Sequence, residues 1–271
     1  MALIHCSFGS DSLGMTTDIH VILPEVDVKE GEKDVLFPTL YLLHGASDNY
    51  SNWIRFTSVE RYAAQHGIAV VMPEAGLSFY NNMPMGYNCY DYVAKELLAF
   101  TRAMFPLSDK REETFIAGLS MGGYGTMRIA LNNPEVFSAA GTFSGAVDLA
   151  SMSSTSVGFM DEAQTQFMME RAFGVKDSGS LKGTDADPIH LLEGFKECRE
   201  RMPRLYQSCG TEDFLYAQNQ AFKTAAEKAG LPVHYEEWKG DHNWPFWDVS
   251  IQRFFDWLKS EEGTDDGMDS M

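Results

Sequence analysis

Long apolar runs are missing from this 271-residue chain, although 44% of its residues are hydrophobic. No stretch approaches the ~20 apolar residues that a bilayer-spanning helix needs. Positive charge is also scarce: 21 Lys and Arg stand against 39 Asp and Glu, a formal net charge of −18. Phosphate contacts need clustered Lys and Arg, so this balance argues against a nucleic-acid partner or an anionic membrane surface. Cysteine is sparse too. Cys6, Cys89, Cys198 and Cys209 are widely scattered without a CxxC spacing, which reads as free thiols in a reducing compartment. The opening Met1-Ala2-Leu3-Ile4-His5-Cys6 has neither a basic leader nor a long apolar core. A signal peptide is therefore not expected, and a cytoplasmic location is. An acidic tail over residues 260–271 has few side chains able to pack and is expected to be disordered.

What is present is strand–helix alternation on the scale of one α/β domain, expected over residues 1–259. The apolar runs Ile19–Leu23, Thr39–Leu43, Ala69–Met72, Thr114–Ala117, Ala139–Phe143, Leu205–Ser208 and Val233–Glu237 read as strands. Helical patterns cover Val59–His66, Tyr90–Met104, Gly122–Leu131, Gln218–Ala229 and Val249–Lys259. Continuously apolar central strands predict a mainly parallel sheet with helices on both faces. The first 25 or so residues read instead as an edge hairpin turning at Gly9-Ser10-Asp11-Ser12-Leu13-Gly14. Between about 148 and 201 strand character fades, which predicts a largely helical, cap-like insertion.

Gly118-Leu119-Ser120-Met121-Gly122 fits the Gly-x-Ser-x-Gly nucleophile elbow and lies between a predicted strand and a predicted helix. Its bland alternative is a glycine-rich helix-capping turn. Ligands of such sheets bind outside the carboxyl ends of the strands, so the loops there decide between the two readings. After Thr39–Leu43 comes His44-Gly45-Ala46-Ser47, a glycine-containing turn where this architecture supplies an oxyanion donor. The backbone N–H groups of Ala46 and Met121 are the predicted pair. His44 precedes the serine and reads as a structural histidine.

A serine hydroxyl needs a base, and the order in this architecture is serine, acid, histidine. Three histidines follow Ser120. His190 falls in the insertion and His234 within a strand, whereas His242 lies in a loop between the last strand and the last helix. That loop, Lys239-Gly240-Asp241-His242-Asn243-Trp244, makes His242 the predicted base, with Asp241 shaping the turn. The strand ending at Ser208 runs into Gly210-Thr211-Glu212-Asp213. The shorter Asp213 is the predicted acid and Glu212 a solvated or capping group.

His44-Gly45, Trp53, Gly118 to Gly125, Gly210-Thr211-Glu212-Asp213-Phe214-Leu215 and Asp241-His242-Asn243-Trp244 together resemble the esterase D family. The likeness runs from Leu13-Gly14-Met15 to Trp257-Leu258 and is strongest for the tributyrin-esterase branch. S-formylglutathione hydrolases and small feruloyl and acetyl esterases belong to the same family. The resemblance implies an α/β-hydrolase fold, a triad of Ser120, Asp213 and His242 with no metal or cofactor, and short acyl esters as small-molecule substrates. Trp53, Tyr80, Asn81, Asn82 and Trp244 are the pocket candidates. The expected activity is a serine carboxylesterase of the tributyrin type. The alternatives are an S-formylglutathione hydrolase-type thioesterase, a feruloyl or acetyl esterase, and a hydrolase fold serving only as a binding module. Assembly of identical copies is left open.

Overall fold

A computed structural model describes residues 1–25, 35–151 and 161–260. The acidic tail beyond Ser260 and residues 152–160 of the expected insertion lie outside the described residues. Eight strands form one sheet in the order β1-β2-β4-β3-β5-β6-β7-β8. Strands β3 (Thr39–Leu43), β4 (Ala69–Pro73), β5 (Thr114–Leu119), β6 (Ala139–Phe143), β7 (Arg204–Gly210) and β8 (Val233–Trp238) run parallel. Every residue of β3, β4, β5 and β6 is buried, which explains their unbroken apolar character: helices cover both faces. This is the mostly parallel α/β architecture of the α/β-hydrolase fold.

The expected hairpin is present at one edge. Strands β1 (Ala2–Ser10) and β2 (Met15–Leu23) pair antiparallel from Ala2↔Leu23 to Ser10↔Met15, and β2 pairs antiparallel with β4. Its turn is anchored on Glu96, whose carboxylate accepts from Ser10 Oγ at 2.8 Å, Asp11 N at 2.7 Å and Ser12 N at 3.0 Å. Strand β2 begins at Met15, four residues before the predicted start. Its exposed Met15 and Thr16 carry no apolar pattern, so periodicity could not reveal them.

One face is packed by the helices Val59–His66 and Trp244–Ser260, with Trp247, Ile251, Phe254 and Phe255 driven into the sheet. On the other face lie Met121–Asn132, Tyr216–Lys228 and a helix that runs from Cys89 through a π turn at Tyr92–Glu96 to Met104. Between β6 and β7 sit the helices Glu162–Phe173 and Pro188–Glu193. The first opens with a capping box between Asp161 and Gln164 and closes on Gly174, which is left-handed at φ 73°.

The insertion is fastened to the body by one buried cation. Arg128 donates to Asn81 Oδ1 at 2.5 Å, to Asp185 Oδ2 at 3.1 Å and to the Asp185 carbonyl at 3.2 Å. Asn81 then donates to the Ala172 carbonyl at 2.6 Å, and Tyr124 to that of Ala186 at 2.7 Å. Among the described residues, no helix is long and apolar enough to cross a membrane.

Where β5 turns into the helix Met121–Asn132, backbones touch. A Cβ on Gly122 would stand 2.6 Å from the Leu43 carbonyl oxygen and 2.7 Å from that of His44. One on Gly118 would stand 2.6 Å from the Gly122 carbonyl. Real Cβ atoms do not approach backbone oxygens so closely, and neither neighbour is a flexible side-chain end. Gly122→Ala should therefore lower stability by at least about 2 kcal/mol, read as a lower denaturant midpoint. Gly9→Ala on the edge strand, where an added Cβ meets nothing within 4 Å, should stay within about 0.5 kcal/mol.

Candidate active site

Ser120 sits at the tip of this turn with φ 53° and ψ −116°, a backbone conformation that side-chain-bearing residues rarely adopt. Three backbone bonds hold it there: Ser120 N–H donates to the Phe143 carbonyl at 3.0 Å, and the Ser120 carbonyl accepts from Tyr124 and Ala146, each at 3.1 Å. The hydroxyl is thereby lifted off the sheet beside the first turn of a helix. At that N-terminus the Met121 N–H has no intrahelical partner by construction. The Ala46 N–H belongs to the turn after β3, and neither group donates to a described backbone acceptor. Both residues line the cavity above Ser120.

His44 shapes that turn from below and is itself only 1% exposed. Its Nδ1 faces the Gly45 carbonyl at 2.7 Å, and its Nε2 accepts from Ala75 N–H at 3.0 Å. An acceptor on one side and a donor on the other define a neutral, Nδ1-protonated ring. Burial pushes its pKa down in the same sense, against the pull of nearby Glu74. Its carbonyl accepts from Tyr80 at 2.9 Å. His44 is thus structural, as its position before the serine implies.

Asp213 and His242, the predicted acid and base, sit on neighbouring loops tied together by backbone. Thr211 N–H donates to the Trp238 carbonyl at 3.0 Å, and Glu212 N–H to that of Gly240 at 2.9 Å. A Cβ on Gly210 would lie 2.4 Å from the Gly240 oxygen, so the loops could not close on any larger residue. Asp213 is 5% exposed and aims its carboxylate at His242 Nδ1, at 2.9 Å and 3.1 Å from its two oxygens. Leu215 N–H also donates to Asp213 Oδ1, at 2.8 Å. With Nδ1 protonated toward Asp213, Nε2 is the free acceptor, and the Ser120 hydroxyl lies 3.0 Å from it. Glu212 points elsewhere, 3.7 Å from Lys239. Asp241 accepts from His242 N–H at 2.7 Å and shapes the loop.

Two aromatic rings flank the imidazole: Phe214 at 4.4 Å and Trp247 edge-on at 5.0 Å. Neither was identified as a contact from sequence, although Phe214 directly follows the acid in the motif that carried the resemblance. Above them opens a cavity of about 360 Å³, within the usual size for small-molecule sites. Phe79, Ala146, Leu149 and Met168 make an apolar wall, while Ser47, Asp48 and Asn243 are polar. Met168 belongs to the inserted helix Glu162–Phe173. Phe79 owes its aim to backbone strain, because it and Tyr80 both adopt φ 51°.

Of the pocket candidates, Trp244 lines the cavity and the others do not. Trp53 is wholly buried, donates to the Leu43 carbonyl at 3.1 Å and packs edge-on against Trp244 at 5.3 Å. Tyr80 is buried beneath the turn after β3. Asn81 bridges Arg128 to the inserted helix. Asn82 is exposed and bonds Asp91 at 2.6 Å. These are neighbours of the site in sequence whose side chains are consumed by packing or loop closure. Conversely, Phe79, Leu149 and Met168 gave no sequence signal, because apolar residues that line a cavity read like those of a core. No group of three or more His, Cys, Asp or Glu among the described residues could hold a metal ion.

A serine hydroxyl hydrogen-bonded to an imidazole that a buried carboxylate holds in turn, beside one cavity, is an arrangement suited to acyl transfer. Comparison with known proteins points the same way. A family model described as "Putative esterase" matches residues 10–258. The acetyl esterase of Caldicellulosiruptor saccharolyticus is 34% identical over 263 residues, covering 95% of this chain and 98% of that protein. Two Staphylococcus aureus structures, each covering 95% of this chain and 98% of their own, superpose closely. The substrate-bound fluorophosphonate-binding serine hydrolase F has a TM-score of 0.83 at 34% identity, and an S-formylglutathione hydrolase apoenzyme 0.82 at 36%. The chain therefore belongs to this esterase family of the α/β-hydrolase fold and is a serine-hydrolase enzyme acting on ester bonds.

Proposed function

We propose that Ser120, His242 and Asp213 are the catalytic triad of an esterase for short acyl groups, acetyl foremost, with Ala46 and Met121 as oxyanion donors. The hydrogen-bonded chain from Asp213 through His242 to Ser120 at the floor of a partly apolar cavity carries this reading. Ser120 attacks the ester carbonyl as His242 Nε2 takes its proton, and the oxyanion is held by the Ala46 and Met121 N–H groups. His242 returns that proton to the departing alcohol, leaving an acyl-Ser120. Water, deprotonated by His242, then releases the acid and restores the serine. Asp213 stabilises the transient imidazolium, and its 0% exposed side chain makes that interaction strong by excluding water.

One relative above 30% identity is named an acetyl esterase, which favours acetyl over tributyrin as the reference ester. A thioester reading has one supporting observation, the solved S-formylglutathione hydrolase at 36% identity. Against it, none of the described residues lining the cavity is a Lys or Arg that could receive the carboxylates of a glutathione leaving group. Phe79, Leu149 and Met168 bound the apolar side and limit acyl length.

Ser120→Ala should abolish labelling by a fluorophosphonate and lower kcat/KM on 4-nitrophenyl acetate by at least ~10⁴-fold, and Asp213→Asn by ~10³–10⁴-fold. Equal labelling of wild type and Ser120→Ala would remove the nucleophile assignment. In a panel of 4-nitrophenyl acetate, 4-nitrophenyl butyrate, tributyrin, triolein and S-formylglutathione, acetate should lead and triolein be inert. A tenfold higher kcat/KM on the thioester would put the thioesterase reading in its place. Met168→Ala should raise the octanoate-to-acetate ratio of kcat/KM by roughly fivefold or more, since buried methylenes are worth about 1 kcal/mol each. An unchanged ratio would mean that the acyl chain does not run toward the inserted helix.

A further inference from the structure

Asp48 is a carboxylate that the reaction above does not use, although it faces the same cavity. It stands in the turn after Gly45, with its N–H donating to the Gly45 carbonyl at 3.3 Å. Its Oδ1 accepts from Asn52 Nδ2 at 2.7 Å. Burial pushes its carboxyl up, while His44, the Gly45 N–H, Asn52 and His242 pull the other way. The hydrogen bonds it accepts favour the charged form and so oppose the rise that burial causes.

The position of Asp48 relative to the reaction follows from packing. The helix Asn52–Phe56 places Trp53 and Phe56 against Trp244, at 5.3 Å and 5.2 Å. Asp48, bonded to the first residue of that helix, therefore lies on the side of the loop His242-Asn243-Trp244. The departing alcohol must sit there to collect its proton from His242. Phe79, Ala146, Leu149 and Met168, which also line the cavity, are apolar and suit an acyl chain. Among the described residues that line the cavity, Asp48 is the one acidic group and none is Lys or Arg.

We infer that Asp48 sets the charge selectivity of the leaving-group side, so that esters of cationic or uncharged alcohols are hydrolysed and esters with an anionic leaving group are repelled. The inference rests on the catalytic assignment of Ser120 and His242 and goes beyond it, because the triad itself is indifferent to the charge of the alcohol. An anion held near a half-buried carboxylate is disfavoured by roughly tenfold or more at an effective dielectric near 20.

Three acetates of matched size test it: those of choline, of 3,3-dimethylbutanol and of 3-hydroxypropane-1-sulfonate. At low ionic strength the wild-type kcat/KM for the sulfonate ester should fall at least about tenfold below the neutral ester, with the choline ester equal to or above it. Added salt should narrow the spread. Asp48→Asn keeps an oxygen for Asn52 and should bring the sulfonate ester to within about threefold of the neutral one, whatever happens to the absolute rates. Equal wild-type values for the three esters would overturn the inference even if that variant did not fold. An unchanged ratio in a folded Asp48→Asn would overturn it as well, by assigning the selectivity to the overall negative charge. The wild type must also turn over 4-nitrophenyl acetate. If it does not, the catalytic assignment falls first and takes this inference with it, whereas normal turnover with a flat charge series removes this inference alone.

Discussion

The site depends on a contact between backbones. At Gly118 and Gly122 the end of β5 and the start of the following helix approach so closely that a single methyl group would overlap a carbonyl. The same closeness lets the end of β3, with its turn at His44 to Ser47, come up beside Ser120. The turn at His44 to Ser47 and Ser120 are thus neighbours because no side chain stands between their main chains. Strain of about 1–3 kcal/mol at Ser120, of the kind that persists only where surroundings over-determine it, is held by the bonds to Phe143, Tyr124 and Ala146. A second main-chain junction, between Gly210 and Gly240, does the equivalent task for the acid and the base.

This division explains what could be read from residues alone. Glycines at close approaches leave a signature in fixed order, and so do a serine between strand and helix and a histidine in the last loop. The edge hairpin, the parallel core and the positions of Ser120, Asp213 and His242 were accordingly legible, and the structure hydrogen-bonds His242 to Asp213 on one side and to Ser120 on the other. The walls of the cavity were not. Trp53 looks like a recognition residue by its motif, yet its indole is spent on the Leu43 carbonyl and on Trp244. Met168 looks like any core methionine, yet it lines the cavity from an insertion 48 residues beyond the nucleophile. Long-range convergence of apolar residues has no local pattern, because periodicity reports that a face is covered and not what covers it.

Arg128 shows how the insertion is held in register with the chemistry. It lies on the nucleophile's own helix, and its three donors reach Asn81 and Asp185 while its guanidinium stacks 4.9 Å from the Tyr90 ring. Arg128 is buried whereas Asp185 is largely exposed, so neutral oxygens do much of the work of satisfying the cation. Through Asn81 and the Ala172 carbonyl, the helix that carries Met168 is referenced to the helix that begins beside Ser120.

The order of the strands has a consequence for the chain as it is made. Ser120 directly follows β5 in the middle of the sheet, whereas His242, its hydrogen-bond partner, comes from the loop after β8, the edge strand that is last in both sequence and sheet order. A nascent chain can complete the inner strands with its serine in place while Asp213 and His242 are still being synthesised. Until β8 docks on β7, that serine is an ordinary alcohol. On the proposed assignment, the serine meets its base only when the sheet closes at its last edge.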